Sequence, residues 1–472
     1  MTRAWEVLVG NRAHAEQLHA SAQNAMADPN RSQALIDHAY ASCCSACFAD
    51  PTWWNAFYHQ GNHEGDRQCY PAAIAHYRQA LACDIPDNRD RAKALCNLGW
   101  RLHQVGQTQE AYDVSRHAVG IDPELAYAWV NLSQICGVLG RPAEGVEAGQ
   151  RAYALSPAEP TVELALAFAL LFNHNFAAGL KHFEVRFYQE LRQYYHYHYP
   201  RWQGERGASV FLVADQGLGD TLSFARFVPL ACQRAGHVHA FVQGELMRAF
   251  QHAFRKIPNL TLSPSPSPFP PADVWTTFVS LPFALGLTDE QIRDTPNIEV
   301  ASNLMRRSHT PPPWMVPDRK LHVGIAWAGS PKNMIDKHRN IPVEFFFELL
   351  RVPGVQLYSL QVDQRKTMLH EAGGAGLVRD LSGYIRDVVD TWGLLRDLDL
   401  VITCESALGH IAAAVGKECW VPYSHLGRDY RIGLVGADRL WTPNHVIVPQ
   451  GPSMRWDRAF KEITDMLRER VR

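Results

Sequence analysis

The sequence has little net charge and no long apolar run. Its 472 residues carry 46 Lys and Arg against 48 Asp and Glu, a formal net charge of −2, so no global field attracts it to nucleic acid or anionic lipid. The longest apolar stretch, 164–172, is too short to span a bilayer, and the first residues show no signal-peptide pattern. These absences predict a cytoplasmic protein with no nucleic-acid partner and no stable membrane insertion.

Several sequence signatures of catalysis are also missing. The chain contains no complete GxGxxG fingerprint, which disfavours a nicotinamide oxidoreductase, and no GxxxxGK[ST] loop or nucleophile elbow. Ten cysteines do not make a disulfide framework in a chain of this length. Cys43, Cys44 and Cys47 lack a second cysteine pair or a matching histidine pair, so small buried helical residues explain them better than a metal site does.

What is present is an ordinary globular composition, with 46% hydrophobic and 20% charged residues. The first 190 residues repeat themselves, with small residues and a closing proline recurring about every 34 residues. The clearest pair of copies starts at Leu98-Gly99 and at Leu132-Ser133. This period resembles the tetratricopeptide repeat (TPR), which predicts a solenoid of helical hairpins over residues 1–190. Its groove suits an extended peptide, while a packing or dimerisation role is the alternative.

After residue 206 the pattern changes to apolar strands that alternate with helices, as βαβ units require. Residues 191–206 form an aromatic linker, and a proline-bearing break separates the lobes at 306–317. We therefore predict an α + α/β protein, with a first Rossmann-like lobe over 207–305 and a second over 319–472. Two such lobes place a site in the cleft between them.

The first candidate junction is Asp215-Gln216-Gly217-Leu218-Gly219-Asp220, which follows the buried strand 210–214. Strand, glycine turn and helix start together make a ligand-facing junction in a doubly wound sheet, where Gly217 and Gly219 let a ligand approach the backbone. Asp220 then places a carboxylate at the mouth of the crevice. The alternative is that Asp220 only caps its helix.

Two further junctions lie in the second lobe. A basic loop with Lys332, Lys337 and Arg339 follows one strand and could neutralise a diphosphate, although most such loops are merely solvated. A second strand ends at Glu405, and a helix rich in small residues opens at Ser406 with His410 one turn in. A helix N-terminus is a natural seat for phosphate, whereas capping by Glu405 and Ser406 and packing by His410 are the alternatives.

A resemblance covers more than half of the chain. The stretches that carry it are Phe183-Glu184-Val-Arg186, Trp202-Gln-Gly204, Asp215–Asp220, Ser280-Leu-Pro282, Gly324–Gly329, Arg339-Asn-Ile-Pro342, Leu398–Ile402 and Glu405-Ser406 with His410. In order and spacing they resemble bacterial glycosyltransferases of the heptosyltransferase type (glycosyltransferase family 9-like), which have the GT-B fold, and in particular members with N-terminal tetratricopeptide repeats.

The resemblance implies a role for each matching residue. Asp220 falls on the proposed general base, and Arg339, with Lys337 nearby, falls on the donor-phosphate site. Around the donor the resemblance places Lys337, Arg339, Glu405, Ser406 and His410, and the three junctions add Gln216, Gly217, Gly219, Lys332 and Ala407. Two of them depart from the family pattern: Glu405 replaces the usual Asp, and Ala407 replaces a frequent Gly.

The resulting prediction is an inverting, metal-independent glycosyltransferase without a cofactor. It would move a sugar from a nucleotide-diphosphate sugar to a hydroxyl of a macromolecule, which the repeat groove suggests is a protein of the flagellin or adhesin type. The alternatives are a lipopolysaccharide-core heptosyltransferase-like enzyme and a non-catalytic TPR scaffold with a degenerate GT-B fold. Homo-oligomerisation is a further possibility that the repeats allow.

Overall fold

The computed structural model divides the chain into two compact units, Met1–Ala169 and Leu170–Arg472. It describes residues 12–27, 32–189, 199–265, 268–298, 312–315, 321–331, 336–427, 429–431 and 441–472. Most of the predicted aromatic linker and of the proline-bearing break lies outside these ranges.

The first unit is built from helices that pack in consecutive pairs, α1 on α2, α3 on α4, α5 on α6 and α7 on α8. Their bounds, together with α9 on which the unit ends, are α1 Arg12–Ala27, α2 Gln33–Ala49, α3 Trp54–Asp66, α4 Tyr70–Ala82, α5 Asn88–Gln104, α6 Thr108–Ile121, α7 Ala126–Leu139, α8 Pro142–Leu155 and α9 Pro160–Phe172. The residues that recur in the sequence lie where helices cross, and Ala111, Ala118 and Ala152 are fully buried there. The predicted repeat fold is confirmed.

One irregularity in the repeat spacing has a structural cause. The spacing of the repeat residues drifts between Pro86 and Gly99, which predicts a longer loop between helices. The larger difference in the structure is a longer helix, since α5 has 17 residues and the equivalent α7 has 14. The connection before α5 covers residues 83–87, whereas residues 122–125 connect α6 to α7. The period therefore changes at one hairpin and is restored in the next.

The second unit begins with helices that pack on its first sheet. They are α10 Phe176–Phe183 and α11 Arg186–Gln189. Phe176 and Leu180 are buried in one hydrophobic cluster with Trp202 and the strand residue Val210. The predicted repeat domain extends to residue 190, so its last stretch packs as part of the second unit.

The first sheet has four parallel strands in the order β3-β2-β1-β4. The strands and helices of this lobe are β1 Ser209–Val213, α12 Leu218–Phe224, α13 Val228–Arg234, β2 His237–Val242, α14 Gly244–Ala253, β3 Leu260–Pro264, β4 Val274–Thr277, α15 Leu281–Ala284 and α16 Asp289–Asp294. Val213 pairs with Phe241 on one side and Thr277 on the other. The strand order reverses at β1, so the loop that leaves β1 opens at a topological switch point.

The second sheet has six parallel strands in the order β10-β9-β8-β5-β6-β7. Its elements are β5 Leu321–Ala326, α17 Asp336–Arg339, α18 Glu344–Phe347, β6 Val355–Ser359, α19 Met368–Glu371, β7 Val378–Asp380, α20 Val388–Asp397, β8 Leu400–Thr403, α21 Ala407–Ala414, β9 Cys419–Tyr423, β10 His445–Pro449 and α22 Asp457–Val471. Ala326 pairs with Thr403, so the loops that leave β5 and β8 are neighbours at a second switch point. The predicted α + α/β fold class is confirmed.

Apolar runs in the sequence predict seven strands, at 210–214, 238–242, 274–278, 322–326, 356–360, 398–402 and 418–421. These strands lie within one or two residues of those observed, but three of the ten strands observed in the described residues escape prediction. The proline- and serine-rich stretch 263–271 predicts a surface loop, but β3 at Leu260–Pro264 is an edge strand that ends inside it, so part of that stretch is strand. β7 at Val378–Asp380 has only three residues, and β10 is also an edge strand. Edge strands are often short, carry polar residues and accept proline, so they lack the continuous apolar run by which a buried strand is predicted from sequence.

Among the described residues, no helix combines the length and the apolar character needed to cross a membrane.

The packing of the first unit yields a stability prediction. A Cβ on Gly61 would lie 2.7 Å from the ring of Tyr77, which is fully buried, whereas a Cβ on Gly120 would meet no atom within 4 Å. We expect Gly61→Val to lower the free energy of unfolding by about 1–3 kcal/mol through overpacking. Gly120→Val is the matched control and should change it by less than about 0.5 kcal/mol. Denaturant unfolding of both variants measures this, and equal effects would contradict the packing assigned to Gly61.

Candidate functional site

The loop after β1 carries the glycine-rich segment. Gly217 is the N-cap residue of α12, and Asp220 lies in the first turn of that helix. The Asp220 carboxylate accepts a hydrogen bond from the backbone of Gly217, so it supports the helix start without being the cap itself. Gln216 and Gly217 are exposed at this edge of the sheet, which leaves the loop accessible.

The loop after β8 forms the facing helix start. Ser406 is the N-cap residue of α21, but its side chain makes no capping hydrogen bond. Its hydroxyl instead pairs with the hydroxyl of Thr403 at 3.1 Å. The first amides of a helix have no acceptor within the helix, and a partial positive charge collects there. The N-terminus of α21 thus has the electrostatic character of an anion site.

The two helix starts approach each other closely. A Cβ on Gly219 would lie 2.6 Å from Cδ2 of His410 and 3.5 Å from Cα of Ala407. His410 Nδ1 also makes a hydrogen bond with the Ser223 hydroxyl at 3.1 Å. Burial and the nearby Arg431 lower the pKa of His410 to about 3, so the ring is neutral at physiological pH. In this structure the neighbour that requires glycine at 219 is His410.

Arg339 and Glu405 form a buried pair beside α21. Arg339 Nη1 lies 3.7 Å from Glu405 Oε1, and both side chains are more than nine-tenths buried. A Cβ on Gly329 would lie 2.7 Å from the Arg339 guanidinium, so this glycine leaves room for the arginine at the end of β5. Arg339 Nε and Glu405 Oε2 have no hydrogen-bond partner among the described residues. Buried polar atoms of this kind are rare in native proteins and indicate capacity for a ligand.

Arg431 is a central residue of the cleft that the sequence motifs did not identify. Its Nη1 lies 2.8 Å from Asp220 Oδ1, which joins the two lobes by an ion pair. Its Nε donates to both carboxylate oxygens of Asp429, at 2.9 and 3.1 Å, and its Nη2 also donates to Asp429. The available signal was the oppositely charged pair Asp429 and Arg431 shortly after the strand β9, because the carboxyl ends of parallel strands share one edge.

The pKa of Asp220 reflects two opposing influences. Burial raises it above the ordinary aspartate value, and the neighbouring carboxylates of Asp429 and Asp215 act in the same direction. The Arg431 guanidinium lowers it. A carboxylate in such surroundings accepts a proton more readily than one in water whenever the arginine is engaged elsewhere.

A second buried network, centred on Arg186, lies beside Asp215 at the start of the glycine-rich loop. Arg186 donates to Asp215 Oδ2 at 2.8 Å, to the Ser280 hydroxyl at 2.7 Å and to Glu184 Oε1 at 2.8 Å. Arg201 also donates to Glu184 and to Ser280. These residues come from three separate motif stretches of the sequence, together with Arg201 next to a fourth. Arg186 joins the network to Asp215, the residue that opens the loop, so we infer that the network positions the loop.

The structure brings most of the predicted site residues to the facing edges of the two sheets: Asp220, Gln216, Gly217, Gly219, Arg339, Glu405, Ser406, Ala407 and His410. Lys332 and the side chain of Lys337 lie outside the described residues. Within the described ranges, no group of three or more His, Cys, Asp or Glu side chains has an arrangement that could hold a metal ion.

Comparisons with known proteins give distant similarities. No family model matches the chain. It is 24% identical over 429 residues to Protein FlbA of Caulobacter vibrioides, an alignment that covers 76% of this chain and 70% of that protein. Among solved structures, MamA is 19% identical to this chain with a TM-score of 0.30. The alignment covers 35% of this chain and 95% of the MamA chain. PilF of Pseudomonas aeruginosa is 22% identical with a TM-score of 0.32. This alignment covers 38% of this chain and 81% of the PilF chain.

Glu405 gives the site a measurable pH dependence. Burial raises its pKa from 4.5 to about 8, so the folded protein keeps a proton that the unfolded chain releases between these values. The stabilisation from this proton is complete below pH 4.5 and is lost as the pH rises through about 8. The glutamine side chain of Glu405→Gln has no proton to lose in this range, so the variant escapes this loss of stability. The difference between its melting temperature and that of wild type should therefore shift in favour of the variant from pH 5 to pH 8.

Thermal unfolding at both pH values measures this shift. Glu348→Gln, at a side chain that is 46% exposed, is the control, and its offset from wild type should be the same at both pH values. An offset for Glu405→Gln that does not change with pH would contradict the raised pKa.

Proposed function

We propose that the second unit is a GT-B glycosyltransferase of the heptosyltransferase type, which transfers a sugar from a nucleotide-diphosphate donor to an acceptor hydroxyl. One observation carries this proposal. A carboxylate, two buried guanidiniums and a helix N-terminus converge where the carboxyl edges of two parallel sheets face each other. In open α/β folds, ligands bind at such edges.

The donor diphosphate would bind on the second lobe. Arg339 lies beside Asp336 and Glu405, and Arg431 is held by Asp429, so both cations would meet the phosphates with little loss of side-chain freedom. The first amides of α21 add hydrogen-bond donors on the same side. This arrangement would stabilise the negative charge that develops on the leaving diphosphate. The step as proposed draws on these groups and on no metal or cofactor.

Asp220 would act as the general base from the first lobe. The acceptor oxygen attacks the anomeric carbon on the face opposite to the diphosphate, and its proton passes to the Asp220 carboxylate. The bond between the anomeric carbon and the phosphate oxygen breaks, and its electron pair leaves with the nucleoside diphosphate. The configuration inverts. General-base catalysis of this kind is typically worth ~10²–10⁴-fold.

The acceptor in this proposal is a protein, held by the repeats of the first unit and modified in the cytoplasm. Stacked helical hairpins form extended surfaces that suit peptide segments. All the proposed catalytic and donor-binding residues lie in the second unit, so acceptor capture and chemistry would belong to different parts of the chain. A lipopolysaccharide-core acceptor and a non-catalytic scaffold are the rival readings. Wild-type protein that binds no nucleoside diphosphate would favour the scaffold.

Asp220→Asn tests the base. The variant keeps the shape of the side chain but accepts no proton, so transfer should fall by ~10²-fold or more. Binding of nucleoside diphosphate should persist, because the proposed phosphate contacts lie on the second lobe. Initial rates and calorimetric binding separate the two effects. Asp465→Asn, which alters an exposed ion pair, is the control. If Asp220→Asn keeps its transfer activity, Asp220 is not the base and only supports the start of its helix.

Arg339→Gln tests the phosphate site. Loss of a charge-assisted hydrogen bond should weaken binding by about 1.5–3 kcal/mol. The loss should be equal for the sugar nucleotide and for the free nucleoside diphosphate, because the two share their phosphates. Arg455→Gln, at an exposed ion pair, is the control. Unchanged binding of the nucleoside diphosphate by a folded Arg339→Gln protein would show that the phosphates bind elsewhere.

A further inference from the structure

Arg431 has one anchored side and one exchangeable side. Asp429 holds it through Nε and Nη2, and both side chains are more than nine-tenths buried. On the other side, Nη1 lies 2.8 Å from Asp220 Oδ1 but outside hydrogen-bond geometry, so this buried nitrogen has no hydrogen-bond partner among the described residues. Asp429 therefore holds Arg431 by hydrogen bonds, whereas Asp220 attracts it at ion-pair distance without one.

The contact with Arg431 determines how readily Asp220 accepts a proton, because of the other groups around it. Asp429 and Asp215 are the neighbouring carboxylates, His410 is neutral, and Arg431 is the cation at ion-pair distance within the described residues. The Arg431 guanidinium lowers the pKa of Asp220, so while Arg431 remains beside it the carboxylate is a weaker base than burial alone would make it. Loss of that cation would strengthen the base.

A diphosphate at the N-terminus of α21 would compete for the same nitrogen. Phosphate oxygens form strong hydrogen bonds with guanidinium groups, and Nη1 is the donor atom of Arg431 that Asp429 leaves available. We propose that Arg431 couples donor binding to activation of the base: the donor diphosphate takes Nη1 from Asp220, and the freed carboxylate then accepts the acceptor proton. This inference rests on the proposed function and adds a residue and an order of events to it.

The coupling has a direct signature in anion binding. If Asp220 and the diphosphate compete for Arg431, removal of the Asp220 charge must strengthen anion binding, and this gain must require Arg431. Simple repulsion between Asp220 and the anion would also give a gain, but that gain would persist without Arg431. A double-mutant cycle distinguishes the two cases.

The experiment uses the full-length protein and inorganic pyrophosphate, which contains the phosphates common to every candidate donor. Calorimetry gives the dissociation constant for wild type, Asp220→Asn, Arg431→Gln and the double variant. Arg248→Gln is the matched control, because Arg248 also joins the two lobes, through Asp387 and Asp390, without contact to Asp220. A thermal melt of each variant checks the fold, and Arg431→Lys replaces Arg431→Gln if the latter unfolds.

We expect Asp220→Asn to bind pyrophosphate about tenfold more tightly than wild type, and Arg431→Gln to bind it about tenfold more weakly. In the Arg431→Gln background, Asp220→Asn should give no further gain, and Arg248→Gln should match wild type. An equal gain in both backgrounds, or no gain at all, overturns the coupling and leaves the proposed function intact. Absence of pyrophosphate binding in wild type overturns both.

Discussion

The second unit depends on the close approach of two helix N-termini, one from each parallel sheet. Gly219 makes the approach possible because any larger residue would collide with His410. The hydrogen bond between Ser223 and His410 then fixes the two starts against each other. Since the imidazole is neutral, this contact adds no charge to a region that already holds buried arginines and carboxylates. The carboxyl edges of the sheets face each other as a result.

The buried charges of the cleft follow a common scheme. Arg431 has the carboxylate of Asp429 as its partner, and Arg339 has that of Asp336, while Glu405 beside Arg339 keeps its proton up to about pH 8. A buried charge without a partner is strongly unfavourable, so each guanidinium requires a carboxylate to remain in the folded protein. Each nevertheless keeps one nitrogen without a hydrogen-bond partner among the described residues. The cleft thus combines cations that are already oriented with donor atoms that are still available, a preorganised arrangement for binding an anion.

Sequence reasoning identified what is local and periodic. The repeat helices and the buried strands were predictable because small residues recur at helix crossings and apolar runs mark parallel strands. Asp220 and Glu405 were predictable because each lies next to such a strand. Arg431 was not, because its importance comes from a partner in the other lobe and its own segment has no motif. The same reason applies to Gly219: the sequence suggests a ligand as its neighbour, whereas only the assembled lobes bring His410 there.

The buried network around Arg186 has a consequence for the modular evolution of such chains. A helical-repeat array looks like a part that can be exchanged at any hairpin boundary. Here, exchange at a point after residue 186 would remove the guanidinium that satisfies Asp215, and an uncompensated buried charge typically costs about 3–5 kcal/mol. A recombination point that preserves the second unit must therefore lie upstream of Glu184, so that Glu184 and Arg186 stay on the same segment as Asp215. The sequence boundary of the module is set by an ion pair rather than by the end of a repeat.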